Sequence, residues 1–258
     1  MNALVLQPVI PLRAEASDRS EMVSQLLFGE TCEVLLQQEK WSRVRCCYDG
    51  YEGWADNKQL HPLSDHEALQ VEQWPIIVQQ PFVTISLTSP SLLPGETCLA
   101  PITIPMGSRL PAAHRTTIAA LTIEHSIPLP ESSPIITFGR AYELLNAPYL
   151  WGGKTLMGID CSGLTQTLFK TYGIRLPRDA SQQQQQGSPV SLEESRRGDL
   201  LFFSNPQGRV THVGIKFGPA SVIHASGRVR IDSIDSEGIY NHEEQRYTHH
   251  LHSIRRIL

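Results

Sequence analysis

Apolar and polar residues alternate in short runs near the start of the chain, at 3–10, 31–37, 41–48 and 53–55, with polar or glycine turns between them. Period-two alternation turns one face of each segment toward a core, so these runs predict the strands of a small all-β barrel. Further on, prolines stand at 75, 81, 90, 94, 101, 105 and 111. Proline lacks a backbone donor and clashes inside a helix, so long helices are excluded over 64–129, and runs such as 82–87 and 117–123 predict the short strands of a second, degenerate barrel. The P-L-P-E-S-S-P run at 128–134 predicts a proline-stiffened linker, followed by a first helix over 135–145. From Cys161 the period changes. Leu164, Leu168, Phe169 and Tyr172 recur at three- and four-residue spacing and Gly173 supplies a stop, which predicts an amphipathic helix. The glutamine run at 182–186 predicts one or two exposed helical turns. Alternation returns at 199–203, 210–217, 221–225 and 228–233, so helices precede an antiparallel sheet, the order of an α+β domain. The expected organisation is two all-β barrels at 1–63 and 64–129, then an α+β domain at 130–258.

Composition narrows the picture by exclusion. Basic and acidic residues, 22 and 26, leave a formal charge of -4 with no basic stripe or acidic tail, so no nucleic-acid partner is expected. No run approaches the roughly 18 apolar residues of a membrane helix, and the first residues lack the basic and apolar regions of a signal peptide. No membrane partner is expected, and the expected compartment is the cytoplasm. Cys32, Cys46, Cys47, Cys98 and Cys161 have no repeated spacing, which argues against a disulfide framework. There is no C-x-x-C pair, and His249, His250 and His252 fall in a terminal stretch that reads as a strand alternating its faces. No metal or other cofactor is expected.

Candidate chemistry converges on Cys161, where a glycine-rich loop gives way to the predicted helix. Unpaired N–H groups and the positive dipole end of a first helical turn favour a thiolate, so a lowered cysteine pKa is expected. A thiolate nucleophile also needs a base, and the base needs a partner that fixes its tautomer. His212 lies on the predicted strand at 210–217, and His224 on the next strand. Neighbouring antiparallel strands bring the two together as base and orienter.

Four motifs stand in order between residues 148 and 225: Y-L-W-G-G, D-C-S-G, H-V-G-I and I-H-A. They resemble the NlpC/P60 family of papain-like cysteine peptidases. Near the N-terminus, P-L-R, L-L-F-G-E, W-S-R-V-R-C and G-Y-E-G-W-A resemble a bacterial SH3 domain. The implied fold is an α+β papain-like (NlpC/P60) catalytic domain preceded by two small all-β SH3-like barrels. Cys161, His212 and His224 would be catalytic, and the Tyr149 hydroxyl would complete an oxyanion hole with the Cys161 backbone N–H, unless that ring only packs the W-G-G loop.

Almost the whole chain is similar to the subgroup of γ-D-glutamyl-L-diamino-acid peptidases, strongest at R-S-E-M-V-S-Q, G-Y-E-G-W, D-C-S-G and R-D-A-S. These release L-Ala-γ-D-Glu from cell-wall stem peptides with a free amino terminus, and in them the first SH3 domain borders and restricts the cleft. The implied partner is therefore a murein peptide, L-Ala-γ-D-Glu-diamino acid, met in murein peptide recycling. A free ammonium in a partly dehydrated pocket must meet carboxylates, and Glu21, Asp160 and Asp179 are the candidates. Asp160 would raise the thiol pKa unless it faces the substrate amine. Tyr51 would wall the cleft, and Ser162 and Ser181 would donate to the D-glutamate carboxylate or main chain, or else cap helices. The alternative is a secreted endopeptidase that acts on intact wall with SH3 domains as wall-binding modules. A catalytically dead adaptor is disfavoured by the intact cysteine and histidine set.

Overall fold

The structure is a computed structural model and describes residues 1–90, 97–129 and 138–257. It divides into two compact units, 1–134 and 135–258. Among the described residues no helix is long and apolar enough to cross a membrane.

The N-terminal unit opens with seven strands: β1 (Asn2–Leu4), β2 (Val9–Arg13), β3 (Met22–Leu27), β4 (Thr31–Gln37), β5 (Trp41–Cys46), β6 (Glu52–Asp56) and β7 (His61–Leu63). Their order in the sheet is β3-β2-β6-β5-β4-β1-β7. The register explains the alternation. Cys32 pairs with Cys46 and Val34 with Val44, on the face that joins Ile10, Leu12 and Ala55 in a core. On the other face Arg45 lies opposite Glu33 and also reaches Glu52. The run expected as one strand over 3–10 is two, β1 and β2, and β3 is an additional strand.

Residues 64–129 hold a helix that the proline argument passed over, α1 (Asp65–Glu72), which ends before the first proline of the series. Ser64 caps it with Glu67 in a reciprocal capping box, a signal present in the sequence. Two short strands, β8 (Ile76–Ile77) and later β11 (Arg109–Leu110), pair with each other. A four-stranded sheet runs β10-β9-β13-β12, built from β9 (Phe82–Pro90), β10 (Thr97–Pro105), β12 (Arg115–Ile118) and β13 (Leu121–Glu124). The single strand expected over 117–123 is in fact a hairpin. Ala119 and Ala120, both left-handed at φ 48° and 62°, reverse the chain between Ile118 and Leu121. One core of this unit joins Leu4, Leu6, Phe28 and Leu63 to Val71, Trp74, Ile85, Ile104 and Ile123, so residues from both expected barrels share it.

The linker expected at 128–134 lies largely outside the described residues, as do the first residues of the helix expected over 135–145. The described chain resumes at Phe138, at φ 51°, and enters a 3-10 helix, Gly139–Leu144. In the C-terminal unit a small hairpin, β14 (Lys154–Thr155) and β15 (Gly158–Ile159), leads into helix α2 (Cys161–Lys170) and the short α3 (Ala180–Gln183). Seven strands complete the unit: β16 (Ser188–Pro189), β17 (Leu200–Ser204), β18 (Val210–Gly218), β19 (Ser221–Ser226), β20 (Arg228–Ile234), β21 (Gly238–Asn241) and β22 (Arg246–Arg256). The order is β16-β22-β17-β18-β19-β20-β21, and β22 also pairs with β21, which closes the sheet on itself. The expected α+β order holds.

Helix α2 is not amphipathic in its setting, because every residue from Cys161 to Lys170 is buried. Three of its polar side chains bond within the unit: Thr165 Oγ1 donates to Gln183 Oε1 at 2.7 Å, Gln166 Nε2 to the Leu176 carbonyl and Thr167 Oγ1 to the Lys154 carbonyl. Gln183, expected on an exposed turn, is itself fully buried and also donates to the Ser162 and Pro177 carbonyls. The helix stops before Gly173, as expected, and that glycine sits at φ 77°, where a side chain would be strained.

Candidate active site

Cys161 is the first residue of α2, and Asp160 is its N-cap, accepting from the Gly163 N–H at 2.7 Å. The glycine of D-C-S-G has a steric reason. A Cβ on Gly163 would overlap the Gly153 carbonyl oxygen, so the loop can lie directly on the first turn only if that position is glycine. The Val213 N–H donates to the Cys161 sulfur, which ties the thiol to β18, the strand that also carries His212.

The expected lowering of the thiol pKa does not occur. Burial first and the Asp160 charge second push Cys161 up to about 12, against weaker lowering by the Val213 amide and by Arg178. Asp160, one of the carboxylates expected at a substrate ammonium, is committed elsewhere. Arg178, 2 % exposed, donates to both of its oxygens, at 3.0 and 2.5 Å, while Gly152 N–H and Ser162 Oγ–H donate at 2.8 and 3.2 Å. Ser162 Oγ also accepts from Arg178 Nη1 at 2.8 Å. Both residues thus belong to a buried ion-pair network beneath the nucleophile.

His212 and His224 meet as expected from neighbouring strands: His212 Nε2 lies 2.9 Å from His224 Nδ1. Sequence reasoning missed what lies behind them. His224 Nε2 is 3.0 Å from Asp232 Oδ2, and Arg230 clamps Asp232 with Nε to Oδ2 at 2.7 Å and Nη2 to Oδ1 at 2.9 Å. His249 lies nearly flat on His212, ring centroids 4.1 Å apart. Burial, followed by the charges of His224 and His249, holds His212 well below its ordinary value. The resting pair is therefore a neutral thiol and a neutral imidazole. The signals for the missed residues were R-x-R-x-D on one strand and H-H-x-H on another, both indistinguishable in the sequence from ordinary surface strands.

Tyr149 is half-buried, and its backbone N–H donates to the Gly227 carbonyl at 3.0 Å. Burial, then the nearby charges of Cys161 and Asp160, push its hydroxyl up to about 12, which leaves it a protonated donor beside the sulfur. Ser181 is exposed and lines a cavity of about 430 Å³ with Gln184, Gln185, Arg209, Thr211 and His252. Asp179, partly exposed, is the N-cap of α3. Glu21, exposed, and Tyr51, partly buried, belong to the N-terminal unit.

Nitrogens of His212, His224 and His249 lie within 4.8 Å of one another, close enough for a metal. The arrangement suits proton transfer better. One nitrogen of His212 and one of His224 are engaged with each other, and the second nitrogen of His224 is engaged with Asp232. Cys32, Cys46, Cys47 and Cys161 form no disulfide, and the Cys98 side chain lies outside the described residues.

Comparison with known proteins gives two family matches. The NlpC/P60 family profile matches residues 146–255, and the bacterial dipeptidyl-peptidase Sh3 domain profile matches residues 12–60. A gamma-D-glutamyl-L-lysine dipeptidyl-peptidase of Bacillus cereus is 27% identical over 239 residues, covering 81% of this chain and 68% of that protein. Dipeptidyl-peptidase 6 of Lysinibacillus sphaericus is 26% identical over 267 residues, covering 92% and 93%. In fold, the chain resembles the crystal structure of an NlpC/P60 family protein from Bacillus cereus, with a TM-score of 0.77 at 22% identity over the full length of both.

Proposed function

Residues 146–255 belong to the NlpC/P60 family of cysteine peptidases, and on that premise we propose that the chain cleaves the γ-D-glutamyl–L-diamino acid bond of stem peptides that begin with a free L-Ala. The observation that carries the substrate reading is the likeness of most of the chain to dipeptidyl-peptidases named for that bond. The Cys161 sulfur attacks the γ-carbonyl as its proton passes to His212 Nδ1. The oxyanion is held by the Cys161 N–H and the Tyr149 hydroxyl. Collapse breaks the C–N bond, and His212 returns the proton to the leaving amine. Water, deprotonated by His212, then hydrolyses the thioester and regenerates the thiol.

The cavity bordered by Ser181 and Thr211 supplies side-chain donors, including Arg209, suited to the D-glutamate carboxylate. With Asp160 and Ser162 tied to Arg178, Asp179 is the carboxylate of the C-terminal unit assigned to the ammonium, and Glu21 and Tyr51 are recognition residues of the N-terminal unit. We place the reaction in murein peptide recycling in the cytoplasm. The β-sheet of residues 82–124 is read as a second, degenerate SH3-like barrel.

The test is mass spectrometry of products from L-Ala-γ-D-Glu-diamino-acid peptides with free and acetylated amino termini, alongside polymeric peptidoglycan. Acetylation leaves the recognition carboxylates without their cation, so cleavage falls at least about a hundredfold, roughly 3 kcal/mol of transition-state binding. Glu21→Gln narrows that gap by slowing only the free-amine peptide. Equal cleavage of both peptides, or preference for polymer, overturns this specificity in favour of a wall endopeptidase.

A further inference from the structure

We propose that Asp232 sets the proton register across two imidazoles, so that His212 Nδ1, the nitrogen not engaged with His224, is a bare lone pair. An ionised carboxylate accepts hydrogen bonds and donates none. Asp232 is 6 % exposed, and its two oxygens receive Arg230 and His224. Although burial pushes its carboxyl up, the hydrogen bonds from His224 and Arg230 hold it below the ordinary aspartate value, so it is an ionised acceptor at neutral pH. His224 must therefore place its ring proton on Nε2, and a neutral His224 then has a bare Nδ1. That atom lies 2.9 Å from His212 Nε2, which must donate to it. The one proton of neutral His212 is thus on Nε2, and Nδ1 is left bare. When the thiol proton moves to Nδ1, His212 becomes an imidazolium whose Nε2–H still points at His224, and no other proton has to shift.

Sheet register assembles this relay. His224 on β19 pairs directly with Arg230 on β20, which puts Asp232 two residues along on the same face, at the diagonal position that long side chains reach. Arg230 is fixed in turn by Glu243 at 2.9 Å and Asn241 at 3.1 Å. Asp232 touches neither substrate nor sulfur; it is a positioning residue that acts through His224.

The proposal rests on peptide hydrolysis by the Cys161 thiol and not on which peptide is cut, and its tautomer readout needs no substrate. In Asp232→Asn, Arg230 donates to the carboxamide oxygen and turns the NH2 group toward His224. A donor there requires a bare Nε2, which moves the His224 proton to Nδ1 and the His212 proton to Nδ1, against the thiol. The expected result is a kcat lower by at least about a hundredfold with KM changed by less than about threefold, since a wrong tautomer in a nucleophile–base–carboxylate triad costs up to about four orders of magnitude. Long-range proton–nitrogen NMR at pH 7 should show the His212 proton on Nε2 in the wild type and on Nδ1 in Asp232→Asn. Arg230→Gln breaks the same ion pair but keeps the carboxylate, so it retains the wild-type tautomer and loses less than about tenfold in kcat. Equal losses in the two variants with an unchanged His212 tautomer reduce Asp232 to a structural ion-pair partner and overturn the proposal. So does a wild-type spectrum with the His212 proton on Nδ1, which decides the matter even if Asp232→Asn does not fold.

Discussion

His249 offers a direct measurement of how tightly the site is closed to protons. Burial first, then the nearby His224 charge, lowers its pKa from 6.5 to about 4. As pH falls through 6.5 the unfolded chain binds a proton at this position that the native chain refuses until about pH 4, so stability is lost on acidification across that window and the loss is complete below it. At about 1.4 kcal/mol per pH unit, the gap corresponds to about 3 kcal/mol. His249→Phe keeps a flat ring between Phe203 and His212, whose centroids lie 6.0 and 4.1 Å from that of His249, and removes the titrating nitrogens. His212 and His224 are also lowered and destabilise in the same direction in both proteins, and since burial is the largest cause of the His212 shift and the His249 charge the smallest, the difference is dominated by His249. The assay is thermal unfolding of the full chain at pH 7.5 and pH 4.5, monitored by circular dichroism. The wild type should lose about 5 to 10 °C more than His249→Phe between those pH values. Equal losses, or an NMR titration of His249 centred near 6.5, would refute the reasoning.

Cys161→Ala should abolish peptide hydrolysis with an unchanged circular dichroism spectrum, and His212→Ala should be nearly as severe in kcat; turnover by purified Cys161→Ala would show that another group is the nucleophile. Arg178→Met leaves Asp160 buried without its cation, so denaturant unfolding should show a loss of about 3 to 5 kcal/mol. The same change removes a charge that lowers the Cys161 pKa, so alkylation of the thiol at pH 8 should slow. Ala120→Gly, at φ 62° in the β12–β13 turn, should raise stability by up to about 1 kcal/mol, read as an increase in Tm; a decrease would mean that the left-handed strain there is negligible.

Cys161, His212 and His224, the proposed nucleophile, base and orienter, and the strands that carry the two histidines stand in recognisable local patterns along the chain. Cys161, His212 and His224 are visible because a helix start and period-two alternation are local properties, and the strands expected over 210–217, 221–225 and 228–233 end within a residue of those observed. Helix α1 escaped although its Ser64–Glu67 capping box is local; the other features that escaped depend on how the chain turns and packs. The turn at Ala119 and Ala120 carries none of the Asn or Gly that normally marks a left-handed turn, so a hairpin reads as one strand. Helix α2 carries an apolar stripe, yet tertiary packing covers its polar positions as well, with hydrogen bonds from Thr165, Gln166 and Thr167 to neighbouring segments. Asp232 and Arg230 reach His224 only through the β19–β20 register, and His249 reaches His212 only because β22 returns to close the sheet; neither pairing leaves a trace in local periodicity. The sign of the Cys161 shift likewise belongs to the folded state. A helix N-terminus favours the thiolate by a modest, short-range dipole, whereas burial beside an ionised Asp160 opposes it more strongly, and that burial exists only once the loop, α2 and β18 have packed around the sulfur.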